Sequence, residues 1–208
     1  MSDVDSRTVA VARFLPYTVA EGPGERSAIW VKGCSIRCRG CFNPHMWSAK
    51  GGELWSSEEL VARVVAAGTE GLTLLGGEPF DQASALAVVA AGVRAAGLSV
   101  MTFTGFTVDQ LRGSVDEGRE GVAALVASTD LLVAGPFLAD QIDTTRPWVG
   151  SRNQEFVALT DRYADVLKNL DNAHDRVEVN VDASGRISVN GWAEMETLDA
   201  LLADLKWT

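Results

Sequence analysis

The chain is poor in cysteine: three in 208 residues. All three lie within one short stretch, as Cys34, Cys38 and Cys41. An odd and purely local set cannot lay out a disulfide framework. Long hydrophobic runs are missing too, and none approaches the ~20 residues of a membrane span. Residues 1–13 are polar and acidic where a secretion signal would be basic and then apolar, so a cytoplasmic location is expected, with no membrane partner. Positive charge is scarce: 18 Lys and Arg stand against 28 Asp and Glu, a net charge of −10. That balance argues against a protein held on nucleic acid by phosphate contacts. Internal repeats, low-complexity tracts and linkers are absent, so residues 1–208 are expected to form a single domain. With 47% hydrophobic residues the chain can fill one core.

What basic charge there is gathers locally. Residues 25–50 hold Arg26, Lys32, Arg37, Arg39 and Lys50 against the single acid Glu25. A basic collar around the cysteines of an acidic protein is suited to dock an acidic electron carrier.

Strand and helix signals alternate along the middle of the chain. Residues 8–14 read as a first strand, followed by the tight turn Glu21-Gly22-Pro23-Gly24. Residues 28–32 read as a strand that delivers Gly33 into the cysteine loop, which runs to about Gly52. A helix follows, capped by Ser56 or Ser57, with Leu60, Val61, Val64 and Val65 on one face and Gly68 at its end. Residues 72–75 form a short buried strand stopping at Gly76-Gly77-Glu78-Pro79. A helix from Asp81 to Ala96, a strand over 99–104, helical pieces over 108–112 and 121–128, and strands over 130–134 and 154–159 complete the core, 8–160. Val177, Val179 and Val181 alternate with polar residues, and Ile187 and Val189 resume the pattern after Ala183-Ser184-Gly185, as in a β-hairpin. Residues 192–205 have helical spacing. The alternation predicts an α/β fold with a parallel sheet. Four to six units are too few for a closed eight-stranded barrel, so an open partial (β/α) barrel is expected, with a C-terminal β-hairpin and helix over 171–208.

In such sheets a site gathers at the carboxyl ends of the strands. There the spacing C-x3-C-x2-C supplies three thiolates for a 4Fe–4S cluster, leaving one iron without a protein ligand. Gly76 and Gly77 would let backbone approach a ligand, Glu78 offers a carboxylate to a cationic amine, and Pro79 fixes the turn. Thr104 ends a strand on the same side. A rival reading adds His45 to the three cysteines as a Cys3His zinc site, which would make the chain a non-catalytic binding module.

Cys34, Cys38 and Cys41 with Gly76-Gly77-Glu78 after the next strand resemble the radical S-adenosylmethionine superfamily. Glu21-Gly22-Pro23-Gly24 with Arg26, Gly33-Cys34, and Gly40-Cys41-Phe42-Asn43-Pro44 through Trp47 are similar to the glycyl-radical-enzyme activating proteins. The activators of anaerobic ribonucleotide reductases are the nearest group, also through Thr104-Gly105-Phe106-Thr107, Gly135-Pro136-Phe137 and Gly150-Ser151 with Asn153-Gln154. Three positions depart from that pattern: Glu21 and Ala134 stand where an aspartate is usual or frequent, and Ile36 where a histidine is typical.

The resemblance implies a 4Fe–4S cluster on Cys34, Cys38 and Cys41 and S-adenosylmethionine as cofactor. The cofactor's amine would contact Gly76, Gly77, Glu78 and Pro79, with Thr104 nearby, and its adenine would lie on Gly40, Cys41 and Phe42. It implies reductive cleavage to a 5′-deoxyadenosyl radical that takes a hydrogen atom from the substrate. It implies a glycine of a partner glycyl-radical enzyme as that substrate, with a flavodoxin or ferredoxin-type electron donor. A peptide, nucleoside-like or natural-product small molecule is the alternative substrate.

Overall fold

A computed structural model describes residues 7–170, 177–181, 185 and 187–191. The chain begins with strand β1 (Thr8–Thr18) and returns antiparallel as β2 (Arg26–Val31). The cysteine loop follows. Strand β3 (Glu53–Ser56) then pairs with the outer side of β1 and leads into helix α1 (Ser57–Ala66). Three crossovers build the parallel part: β4 (Gly71–Gly76), α2 (Ala83–Ala95), β5 (Ser99–Thr104), α3 (Val108–Asp116), α4 (Val122–Ala127) and β6 (Leu131–Ala134). An antiparallel edge strand, β7 (Glu155–Ala158), closes the seven-stranded sheet, whose order is β3-β1-β2-β4-β5-β6-β7. Helix α5 (Ala164–Lys168) follows, and β8 (Val177–Val181) and β9 (Ile187–Gly191) form a separate antiparallel pair.

The sheet is covered on both faces, which is why residues 28–31 of β2 read as an unbroken apolar run and all six residues of the strand are buried. Ile29 and Val31 belong to the large core under the helices, with Val9, Val11, Leu72, Leu74, Val100 and Leu132. Ala28 and Trp30 belong to a smaller cluster with Met46 on the other face. Met101, Leu131 and Val133 form a third cluster with Val149 and Tyr163. Local chemistry agrees with this plan. Ser56 caps α1 by accepting from the amide of Glu59 at 3.1 Å. Thr107 and Gln110 form a reciprocal capping box on α3. Each cap contributes about 1 kcal/mol.

The structure corrects the sequence reading in four places. The first strand runs on to Thr18, through two breaks in register. Strand β3 occupies residues 53–55, which the sequence left without an element, and ends on the cap Ser56; it is four residues long, and only Trp55 in it is buried, too little to produce an alternation. The helix expected from Asp81 begins at Ala83, because Pro79–Gln82 forms a 3-10 turn capped by the Glu78 side chain.

The fourth correction is Arg26, which is not part of a surface collar but is fully buried. Its Nε donates to Thr73 Oγ1 at 2.7 Å, and its Nη1 donates to Tyr163 OH at 2.7 Å and Ser99 Oγ at 3.1 Å. Burial pulls its pKa down, but guanidinium stays charged. The helix expected over 192–205, and most of the turn between β8 and β9, lie outside the described residues.

Candidate metal centre

The cysteine loop leaves β2 at Gly33, whose φ of 90° lies in the left-handed region that glycine adopts without strain. Two backbone bonds close its base: Gly33 N to Met46 O at 2.9 Å and Cys34 N to Trp47 O at 3.1 Å. Inside it, Cys41 N donates to Cys38 O at 3.2 Å. Arg37 also takes a positive φ, 52°, a strained choice for a side-chain-bearing residue. The strain aims its amide at Cys34 Sγ, 3.5 Å away, and its Nε at Cys34 O, 3.3 Å away. The amide of Asn43 meets Cys41 Sγ at 3.3 Å. Behind the loop, the carboxylate of Asp81 receives both the amide and the hydroxyl of Ser35, at 2.7 and 2.8 Å. Arg119 steadies that carboxylate at 3.4 Å.

All three thiols are free and half-buried. Burial raises the pKa of Cys34 and of Cys38, so their thiolates need a cation to form readily near neutral pH. Among the described residues, no three His, Cys, Asp or Glu side chains converge closely enough to hold a single ion. The indole N–H of Trp47, a residue that lines a cavity together with the three thiols, is buried without an acceptor. Three free thiols on one loop are a donor set that fits an iron–sulfur cluster.

The turn after β4 is fastened to the root of the loop. Gly77 N donates to Val31 O and Glu78 N to Gly33 O, each at 2.8 Å. The glycines make this approach possible: a Cβ on Gly76 would stand 2.6 Å from Val31 N, and one on Gly77 would stand 2.1 Å from Gly33 O. Their missing side chains admit strand β2 and the root of the cysteine loop, and both glycines also line the cavity described below. Glu78 is 1% exposed. Its Oε1 accepts from Phe80 N at 2.9 Å and Thr104 Oγ1 at 2.8 Å, and its Oε2 accepts from Gly105 N at 2.8 Å. Burial drives its pKa up to about 7 against the pull of those donors. Three of the roughly four acceptor positions of a carboxylate are used, leaving one for a ligand.

A cavity of about 720 Å³ opens at the carboxyl ends of β2, β4, β5 and β6. The three cysteines, Phe42, Gly76, Gly77, Glu78, Pro79 and Thr104 all line it. Gly40 does not; a Cβ on it would meet Ala139 and Phe137. Phe42 is 60% exposed, with its ring 5.1 Å from that of Phe137. Arg13, Trp30 and Asn190 also line the cavity and were not singled out in the sequence. Gly105 packs under Ile36, so an aliphatic side chain covers that turn.

A three-thiol loop at the carboxyl end of a parallel sheet, joined to a turn that presents one buried carboxylate, defines an iron–sulfur enzyme of the radical S-adenosylmethionine type. The chain belongs to the 4Fe-4S single cluster domain family, which matches residues 20–157. Its cofactors are a 4Fe–4S cluster and S-adenosylmethionine. Within that class it stands among activating proteins. It is 31% identical over 152 residues to the anaerobic ribonucleoside-triphosphate reductase-activating protein of Vibrio cholerae, covering 68% of this chain and 93% of that protein. The protein of the same description from Pasteurella multocida is 29% identical over 159 residues, covering 71% and 96%. The crystal structure of QueE from Escherichia coli aligns over 48% of this chain and 53% of that one, with a TM-score of 0.41 and 23% identity. No helix among the described residues is long and apolar enough to cross a membrane.

Proposed function

We propose that this protein is a cytoplasmic activating enzyme that installs a radical on a glycine of a partner glycyl-radical enzyme. An anaerobic ribonucleotide reductase is the partner suggested by the names of its relatives. The observation that carries this reading is the meeting of three free thiols and the Glu78 turn in one cavity. When bound, the cluster and S-adenosylmethionine supply an electron and a 5′-deoxyadenosyl radical able to take a hydrogen atom from the substrate. The protein's own work is to hold and to exclude. Cys34, Cys38 and Cys41 hold the cluster. The free acceptor position on Glu78 takes an ammonium, with the backbone of Gly76 and Gly77 beside it. Phe42, on Phe137, offers a ring face to an adenine. No side-chain acid or base is needed for hydrogen-atom transfer.

The open seven-stranded sheet is read as the partial barrel of this class, with a mouth wide enough for a segment of a macromolecule. Lys32, Arg37, Arg39 and Lys50 lie around the loop without an ion pair among the described residues, which suits an acidic flavodoxin or ferredoxin-type donor. One observation favours a second substrate class, a peptide or small molecule: Val189, Asn190 and Gly191 line the cavity from beyond the family match.

The test is anaerobic reconstitution with iron and sulfide. Wild-type protein should be brown, release 5′-deoxyadenosine from S-adenosylmethionine, and raise a glycyl radical signal on the reductase by electron paramagnetic resonance. Cys38→Ala should lose colour and cleavage together. Persistent cleavage in that variant overturns the cluster assignment, and cleavage without a glycyl signal moves the substrate to the second class.

A further inference from the structure

Strand β1 breaks its own alternation at the cavity. Val9 and Val11 face the helix-side core, and regular pleating would send Arg13 there as well. The register instead slips between Val11 and Arg13. After the slip, Phe14 packs on the helix side, its ring 5.7 Å from that of Trp55. Arg13 turns to the opposite face, directly across the ladder from Trp30. Bulges of this kind re-aim a side chain next to a site. The Arg13 guanidinium carbon stands 4.9 Å from the centroid of the Trp30 ring, and both residues line the cysteine cavity.

Stacking occupies the face of the guanidinium and leaves its edge of N–H donors free. Among the described residues, Arg13 has no ion pair and no side-chain hydrogen bond. The acids lining the same cavity are engaged elsewhere. Glu78 accepts its three donors, and Glu21 Oε1 accepts from Gly191 N at 3.1 Å. The cavity wall thus presents one half-buried, unpaired, planar cation. A single guanidinium balances a single negative charge in a planar, two-point contact, the geometry of a carboxylate. A phosphate dianion would be left half-neutralised in a cavity that also holds Glu21 and Glu78.

We propose that Arg13, held on Trp30 by the β1 bulge, is a carboxylate-binding subsite of this cavity. The ligand's identity rests on the function proposed above: the carboxylate belongs either to S-adenosylmethionine or to an acidic group of the substrate.

The experiment compares wild type, Arg13→Gln and Arg13→Lys, each loaded with its cluster and checked for iron content and melting temperature. Equilibrium dialysis measures binding of S-adenosylmethionine and of its decarboxylated analogue, and activation kinetics measure KM for the reductase at saturating cofactor. Loss of a charge-assisted bidentate contact predicts a roughly ten- to hundred-fold effect in Arg13→Gln. Arg13→Lys, which keeps the charge but not the fork, should recover part of it. Weakened binding of the intact cofactor but not of the decarboxylated analogue assigns the carboxylate to the cofactor. A raised reductase KM assigns it to the substrate. Arg13→Gln matching wild type in both measurements overturns the proposal. Failure of the wild type itself to bind a cluster or cleave the cofactor instead refutes the function on which the ligand rests.

Discussion

The buried carboxylate of Glu78 should make this protein's stability depend on pH in an unusual sense. Its pKa rises from an ordinary 4.5 to about 7, chiefly through desolvation. Between those values the folded protein holds a proton that the unfolded chain has released. Stability therefore falls as pH rises through this window, opposite to the usual contribution of a salt-bridged acid. A rise of that size corresponds to roughly 3 kcal/mol, absent below pH 4.5 and fully expressed above pH 7. No discount for solvent applies, since the side chain is 1% exposed. Glu78→Gln removes the titration but turns an amide N–H₂ toward donors that Glu78 now satisfies, at a pH-independent cost of about 1–3 kcal/mol. Urea denaturation of both proteins from pH 4.5 to 7.5 isolates the effect, because other groups cancel in the difference. The advantage of wild type over Glu78→Gln should shrink by roughly 3 kcal/mol across that range. A difference that stays flat with pH would refute the reasoning. The same carboxylate should lose its proton when an ammonium arrives, so cofactor binding near pH 7 should release a fraction of a proton, detectable by calorimetry in buffers of different ionisation enthalpy.

Two further substitutions follow from the geometry. Gly77→Ala puts a methyl 2.1 Å from Gly33 O, a contact that nothing but backbone movement relieves; melting temperature should fall, with a loss of several kcal/mol, and iron incorporation should fall with it. Arg26→Leu strips partners from Thr73, Tyr163 and the Leu72 carbonyl at a fully buried position, and should cost about 3 kcal/mol or more in denaturant titrations while leaving the three cysteines in place.

The cysteine loop and the Gly-Gly-Glu turn were legible in the chain because their chemistry is local: three thiols and two glycines are rare at such spacing whatever surrounds them. The parallel strands were legible because burial on both faces writes a continuous apolar run, as at residues 71–76 and 131–134. Other features depend on partners far away in sequence. Arg26 looked like a surface charge because nothing beside it reveals that Thr73, Ser99 and Tyr163 enclose it. That the same two glycines also make room for β2 was not legible, because that strand lies more than 40 residues earlier. Arg13 escaped notice for a geometric reason: an alternation count places it with Val9 and Val11, and only the slipped register of a neighbouring strand turns it round. Short β3 carries too few residues to state a period.

The bonds from Gly77 to Val31 and from Glu78 to Gly33 tie two binding surfaces at their hinge. On the function proposed above, iron on the thiols and a nucleotide on the carboxylate would pull on the same few peptide units. Whatever free energy one occupant spends in stiffening them is spared the other, and by equal amounts in either order. Stripped of its metal, the protein should grip the nucleotide more weakly even at contacts no iron atom touches.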